Sequence, residues 1–389
     1  MSRDFQQSSD FHPPARLSGI ERSVIRQMLD RALPDSINLG LGEPDLQTPE
    51  VIKRAAARVI AEEQNGYTSH AGLLALRELI AGDNSLTGAN PERVIITAGS
   101  QEAMYLALMT LVEEGDEVLL PDPGFVAYPT IVRMAGGEPV FYSLPRARDF
   151  AFDAEDFKRK VTPRTKAVVA ISPSNPTGRT LSTEDLAAMA GALGESRAYV
   201  ISDEIYRELY YTDAPPPSIS EHYERTLVIS GLSKSMSMTG WRLGWMCGGD
   251  ERIIRSALIL HGYVTTCAST ISQKAALAAW TDEAEGARQN HRSIFHERRD
   301  YLLKTLSDEL GLRAVSPDGA FYTMVDVSQY GSSMKVAEAL LAQGVITVPG
   351  AAFGSEGEGH LRISFCAEPQ ALAEGVRRMG KALKHLAGR

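Results

Sequence analysis

Ser230-Gly-Leu-Ser-Lys234-Ser-Met-Ser-Met-Thr-Gly-Trp-Arg242-Leu-Gly244 continues an apolar run, Leu227–Ser230, that reads as a strand buried on both faces. A lysine at the end of such a strand is unusual. Burial in a low-dielectric cleft disfavours ammonium and lowers the amine pKa, the condition an amine needs to attack an aldehyde. The ordinary alternative is a lysine snorkelling from a loop to solvent. The neighbours argue against it: Arg242 follows eight residues later, behind Gly240. A turn of that length brings a guanidinium back beside the amine, where it can hold a phosphate by paired hydrogen bonds.

Outward from this stretch, between about Arg93 and Gly248, short aliphatic runs alternate with helical segments, the pattern of a sheet wrapped by crossover helices. The fold class is α/β. Strands are expected at Val94–Thr97, Glu117–Leu120, Ala167–Ile171, Ala198–Ser202, Leu227–Ser230 and Leu243–Cys247, with helices at Gln101–Glu113 and Thr183–Leu193. Ser182-Thr-Glu-Asp185 is a capping box that fixes the start of the second helix. A different texture begins near Glu285: a long helix through Leu310, a strand Phe321–Val327, a helix Lys335–Gln343 and a strand Leu361–Phe365. An amino-terminal helix, Ser18–Ala32, precedes Ile37–Leu41 and is expected to pack with this later part. The division is therefore a large domain over 45–284 and a smaller α+β domain built from 1–44 and 285–389. Junctions of this kind commonly hold a cleft.

The chain has 389 residues, 43% hydrophobic and 23% charged, enough for a large core in two domains. A net charge of -9 disfavours general affinity for nucleic acid or anionic membrane. Cys247, Cys267 and Cys366 are odd in number and lack metal or redox spacing. Reduced cytoplasm is the expected location. Met1–Arg16 is polar and proline-containing, unlike a secretory signal, and no run reaches membrane length. The histidines form no HExxH pattern, and Gly40-Leu-Gly42-Glu-Pro lacks the third glycine of a dinucleotide fingerprint. No metal is implied.

Other chemistry-bearing residues sit at strand ends. Asp203 lies in Ile201-Ser-Asp-Glu-Ile-Tyr206, at the end of a buried strand, where open α/β sheets place ligands. Gly99-Ser100-Gln101 closes a strand and opens a helix, so its free amides suit an anion, although a serine there is equally an ordinary N-cap. Arg362, in the apolar strand His360-Leu-Arg-Ile-Ser364, needs a carboxylate.

Taken together, Gly42-Glu-Pro-Asp45, Tyr67 with Gly72, Ser174-Asn-Pro-Thr-Gly178, Asp203-Glu-Ile-Tyr206, Ser233-Lys234 with Thr239-Gly-Trp-Arg-Leu-Gly244, and Leu361-Arg-Ile-Ser364 resemble the pyridoxal-phosphate aminotransferases of fold type I, class I and II, in their bacterial-type aspartate branch. The resemblance runs from about Ile37 almost to the carboxyl terminus. It implies pyridoxal 5'-phosphate held as an aldimine on Lys234, passage through pyridoxamine phosphate, and transfer of an amino group from an L-amino acid to a 2-oxo acid. It gives Asp203 the pyridine nitrogen, Asn175 and Tyr206 the phenolate oxygen, and Phe125 the ring face. Gly99, Ser100, Gln101, Ser233 and Arg242 take the phosphate, joined by Tyr67 from the other subunit of a homodimer. Gly42, Asn175 and Arg362 hold the substrate α-carboxylate. Gly231 departs from the pattern, since many relatives carry a phosphate-binding serine there. Ile20, Leu41, His70 and Tyr263 are candidates for the substrate side-chain pocket. Two rival readings stand beside this one: a lyase using the same cofactor, and a non-catalytic cofactor-binding sensor.

Overall fold

A computed structural model describes residues 20, 22–62, 64–83, 88, 90–194 and 196–388. The expected segment Met1–Arg16, and Ser18, Gly19 and Glu21 of the expected helix Ser18–Ala32, lie outside them. That helix is shorter than expected. Ser23 accepts a hydrogen bond from the Arg26 amide at 3.4 Å, so α1 spans only Val24–Asp30. After it come β1 (Ile37–Asn38), α2 (Glu50–Glu62) and α3 (Leu74–Gly82).

The next strands build one seven-stranded sheet: β2 (Val94–Thr97), β3 (Glu117–Asp122), β4 (Glu138–Ser143), β5 (Thr165–Ile171), β6 (Tyr199–Asp203), β7 (Thr226–Gly231) and β8 (Gly244–Gly248). Its order is β2-β8-β7-β6-β5-β3-β4, and only β8 runs against its neighbours. Between the strands lie α4 (Ser100–Leu111), α5 (Ala127–Met134), α6 (Ala154–Lys160) and α7 (Thr183–Leu193). β2 and β3 are buried at every residue, as their unbroken apolar runs imply when helices cover both faces. β4 was not anticipated. It is the edge strand, half-exposed and proline-containing, so it carries no buried apolar run to recognise. The capping box of α7 is present in full, with Ser182 and Asp185 each accepting the other's backbone N–H.

After β8 come α8 (Glu251–Val264), α9 (Thr270–Ala276) and α10 (Asp282–Leu310). Thr281 caps α10 by accepting from the Ala284 amide, which starts it three residues before the expected Glu285. β9 (Tyr322–Asp326), α11 (Ser333–Ala342), β10 (Val345–Ile346), β11 (Val348–Pro349), β12 (His360–Ser364) and α12 (Pro369–Leu386) complete the chain. β11, β12 and β9 form an antiparallel sheet, while β1 pairs in parallel with β10, tying the beginning of the chain to its end. No helix of the described residues is long and apolar enough to cross a membrane.

Candidate active site

Strand direction gathers the site. β3, β5, β6 and β7 are parallel, and β2 shares their direction because β8 runs against both β2 and β7. The loops after these five strands, and the segment that enters β8, therefore all emerge at one edge of the sheet. That edge receives Ser100 after β2, Phe125 after β3, Asn175 after β5, Asp203 at the end of β6, Lys234 after β7 and Arg242 before β8. β12 of the smaller sheet supplies Arg362 from the other side. A cavity of about 650 Å³ lies between, lined by Gly42, Ser100, Gln101, Phe125, Asn175, Asp203, Tyr206, Ser233, Lys234, Arg242 and Arg362 among others. Among the expected site residues Gly99 and Tyr67 do not line it. Gly99 lies behind Arg242, and Tyr67 is 88% exposed on the outside of the chain. Leu41 is the one side-chain-pocket candidate on the wall; Ile20, His70 and Tyr263 are elsewhere.

The Lys234 amine donates to the Gly42 carbonyl at 2.9 Å and has no carboxylate partner among the described residues. Burial lowers its pKa. Asp203 is buried, and desolvation pushes its carboxyl up to about 6, even though it accepts hydrogen bonds from the Tyr128 hydroxyl at 2.8 Å and the Ile205 amide at 3.2 Å. At neutral pH the carboxylate still prevails, poised to meet a cation.

At one end, Gly99 has φ +90° and ends β2's loop where α4 begins, directing the first free amides of α4 into the cavity. A Cβ on Gly99 would stand 2.6 Å from an Arg242 nitrogen. Arg242 itself adopts φ +54°, a conformation rare for a side-chain-bearing residue, and is held by the Thr239 carbonyl at 2.8 Å and the Ala98 carbonyl at 3.4 Å. Its guanidinium has no carboxylate partner among the described residues. Gly231 has no room for a serine: a Cβ there would lie 2.9 Å from the Leu243 carbonyl oxygen.

At the other end, Arg362 is 2% exposed and donates to Asn175 Oδ1 at 2.9 Å and to the Gly40 carbonyl. Its plane is flanked by Tyr322 and Phe353, with ring centroids 4.4 and 4.8 Å from the guanidinium carbon. It also lacks a carboxylate among the described residues, and its Nε is buried without a partner. A buried guanidinium in this state is a receptor for an external carboxylate.

Two tyrosines of this network were missed in the sequence. Tyr322 shares a hydrogen bond of 3.0 Å with the Tyr206 hydroxyl and packs so near Gly42 that a Cβ there would fall 1.7 Å from its oxygen. Tyr128 was within reach of inference, because it follows Phe125 by three residues at the entrance to α5 and shares its face; the rings meet edge-on at 5.5 Å. Tyr322, in an apolar strand remote from every motif, gave no comparable signal.

Two guanidinium groups without carboxylate partners among the described residues, an amine with a lowered pKa and a buried carboxylate are thus set across one cavity. Residues 34–379 match the family model for aminotransferase class I and II. The aspartate aminotransferase of Pyrococcus horikoshii is 37% identical, over 94% of this chain and 95% of that protein. The aromatic-amino-acid aminotransferase 2 of Thermococcus litoralis is 35% identical, over 95% and 97%. The solved aspartate aminotransferase from Thermus thermophilus with maleate covers 96% of this chain and 100% of its own, with a TM-score of 0.91 at 35% identity. The chain belongs to the class I and II aminotransferases, with the fold type I architecture. It is an enzyme of amino-group transfer, and the lyase reading has no counterpart among these relatives.

Proposed function

We propose that this cavity holds pyridoxal 5'-phosphate and that the chain moves amino groups between L-amino acids and 2-oxo acids there, with Lys234 as the catalytic base and acid. The carrying observation is the charge set of the wall: Lys234, Arg242 and Arg362, all without carboxylate partners among the described residues, converge with the buried Asp203. When bound, the cofactor supplies an electron sink that makes the substrate α-proton removable.

The side chains divide the remaining work. Ser100, Gln101, Ser233 and Arg242, with the backbone at Gly99, would take the phosphate. Asp203 would hold the ring nitrogen in its protonated state, and the approaching cation would in turn keep Asp203 ionised. Phe125 would cover a ring face without donating a hydrogen bond. Asn175 spends its oxygen on Arg362, which leaves its amide nitrogen free to donate to the ring oxygen. Tyr206 can donate to the same oxygen when Tyr322 donates to Tyr206. Arg362 and the Gly42 backbone region would orient the substrate α-carboxylate. Lys234 Nζ, its pKa lowered by burial, would take the proton from the substrate α-carbon and redeliver it.

A homodimer belongs to this reading. Tyr67, Leu74, Ile259 and Tyr263 are between 51% and 90% exposed, too large an apolar set for an ordinary surface, and a second copy would cover them and bring Tyr67 to its neighbour's phosphate. The names of the relatives point to aspartate and aromatic amino acids as donors, and cytoplasm is the proposed location.

The test is an absorbance titration of purified protein with a panel of amino acids and then 2-oxo acids, with Lys234→Ala as control. Conversion of bound pyridoxal to pyridoxamine by particular amino acids, reversed by particular 2-oxo acids, is the expected result. Keto-acid production without pyridoxamine would instead establish lyase chemistry.

A further inference from the structure

The segment between β11 and β12 carries Phe353, one of the two rings that flank Arg362. This segment is fixed against the seven-stranded sheet by a side chain that the proposed function leaves unused, Asp122, and the role assigned to it rests on that function.

Asp122 is the last residue of β3, three before Phe125, and is 8% exposed. Among the described residues its carboxylate has no cation. It accepts instead from three donors of one loop: the Ser355 amide at 3.1 Å, the Ser355 hydroxyl at 2.7 Å and the Glu356 amide at 3.1 Å. Two residues along, the Gly124 N–H donates to the Phe353 carbonyl at 2.9 Å. The turn Asp122-Pro-Gly-Phe125 is thus tied by its side chain and its backbone to residues 353–356. The approach leaves no slack, since Gly354 has φ +135° and a Cβ there would collide with the Asp122 carboxylate.

Packing adds little to these ties. A cavity of about 230 Å³ lies between the turn and the loop, lined by Phe125, Tyr128, Phe141, Ala351 and Phe353 among others. Surfaces facing such a space have no partner atoms across it, so the polar contacts carry the alignment. Farther along the loop, the Glu356 carboxylate accepts from the Ser143 hydroxyl and the Arg146 amide, both at 3.2 Å, and Arg146 donates to the Glu358 carbonyl at 2.8 Å. These contacts hold the outer part of the loop at the edge of the sheet.

Each end of the tie leads into the site. On one side, Phe125 lines the main cavity and meets Tyr128 edge-on, and Tyr128 donates to Asp203. On the other, the Phe353 ring stands 4.8 Å from the guanidinium carbon of Arg362. The placement of the α-carboxylate receptor relative to the residues around the cofactor ring therefore passes through Asp122. Proton removal demands a fixed angle between the substrate and that ring, which makes this placement matter for the reaction.

We infer that Asp122 is a positioning residue: by holding Phe353 against the Phe125 turn, it sets where Arg362 presents the substrate α-carboxylate to the cofactor ring. Asp122 touches neither substrate nor cofactor.

The experiment compares cofactor-loaded wild type with Asp122→Asn, Ser355→Ala, Phe353→Leu and the double variant carrying Asp122→Asn and Phe353→Leu. The kcat and KM are measured for aspartate and for phenylalanine, and binding of maleate, a carboxylate that cannot undergo transfer, by calorimetry. Cofactor affinity is read by fluorescence during titration of the cofactor-free protein. Asparagine keeps the shape of Asp122 but offers one acceptor oxygen and turns an amide group toward the remaining donors. Asp122→Asn should raise KM for both amino acids about tenfold and weaken maleate by a similar factor, with cofactor affinity within about twofold of wild type. Ser355→Ala removes one donor of the three and should raise KM about threefold. In the Phe353→Leu background, Asp122→Asn should add less than about twofold, because the ring through which it acts is gone. A fall in stability or kcat at unchanged KM, full additivity with Phe353→Leu, or an equal loss of cofactor affinity overturns the inference. Should Asp122→Asn fail to fold, unchanged KM and maleate binding in Ser355→Ala overturn it as well. Failure of the underlying function would look different: wild type would then transfer no amino group, while maleate binding still reported whether Asp122 and Phe353 govern Arg362.

Discussion

On the sheet side of the cavity, Lys234, Asp203 and Asn175 stand at the ends of three neighbouring parallel strands, and each is tied to a backbone group or a second side chain. On the opposite side, α1 presents Ile25, Arg26 and Leu29 from a helix of seven residues, with a lone serine cap at its start. The sheet side is over-determined and the helix side is lightly held. Chemistry needs groups placed to within a fraction of an ångström, which rigid strand ends provide, whereas recognition of alternative side chains tolerates a wall that adjusts. The contrast makes a general expectation: substitutions on the sheet side impair every substrate, and substitutions on α1 change the choice among substrates.

The largest effect belongs to Lys234→Ala. Removing the group proposed to carry the proton should lower turnover by up to about 10⁴-fold with all amino acids alike. The thermal midpoint should change little, because among the described residues this amine makes one hydrogen bond, to the Gly42 carbonyl, and one distant contact with the Phe321 ring at 5.9 Å. Residual turnover that differed among substrates would break the contrast, since it would give the sheet side a part in selection.

Arg362→Ala comes next. The guanidinium is buried among Asn175, the Gly40 carbonyl and two rings, so its loss should lower kcat/KM by roughly 10² to 10³-fold, as for the loss of one partner of a buried charged pair. The loss should be the same for aspartate and phenylalanine, which share an α-carboxylate. A selective loss for aspartate would instead assign Arg362 to the distal carboxylate.

The same contrast explains how much could be read from the sequence. Strand ends announce themselves: Leu227–Ser230 running into Lys234, or Val200–Asp203 running into Tyr206, are apolar runs that stop at a polar residue, and each local pattern agrees with its tertiary setting. The edge strand β4 and the short β10 and β11 lack such runs. Tyr322 is silent for another reason. Its hydroxyl meets Tyr206 across a separation of 116 residues, and alternation along β9 shows that it is buried but not what it touches. Glycines at close approaches, Gly42 against Tyr322 and Gly99 against Arg242, were legible only through the family pattern.

Asp203→Asn tests the cost of holding a charge on the buried side. In the cofactor-free protein the carboxyl is raised to about 6 by burial, against the ordinary 3.8. A raised carboxyl favours the folded state below the ordinary value, and that advantage disappears as pH rises through about 6. At pH 8 the penalty amounts to about 3 kcal/mol. Cofactor-free Asp203→Asn should therefore resist urea better than wild type at pH 8 by up to about 3 kcal/mol, and the gap should close on approaching pH 4. Activity should be lost at the same time. Equal stability at pH 8 would mean that water or Tyr128 already compensates the charge, and the sheet side would be less dry than its burial indicates.

The smallest effect is expected one layer behind the phosphate end, at Glu102. One oxygen of this carboxylate accepts the Ala98 amide, and the other accepts from His261 Nδ1 at 3.0 Å and from the Thr265 hydroxyl at 2.5 Å. Burial would raise its pKa, but these hydrogen bonds outweigh burial and hold it lower than usual. Ala98 is therefore gripped at both ends, its N–H by Glu102 and its carbonyl by Arg242, and the grip sets the turn from which Gly99 and Ser100 offer their amides. Glutamine has the same shape but a single acceptor oxygen, so Glu102→Gln must abandon either Ala98 or the pair on α8. Loss of one such contact should weaken cofactor binding by about tenfold, read as fluorescence during titration of cofactor-free protein, with kcat at saturating cofactor nearly unchanged. Thr265→Ala should weaken it less, because His261 remains to hold the same oxygen. Were Glu102→Gln to bind the cofactor as tightly as wild type, Gly99 and Arg242 alone would shape the turn, and the rigidity of the sheet side would end at the residues that touch the ligand.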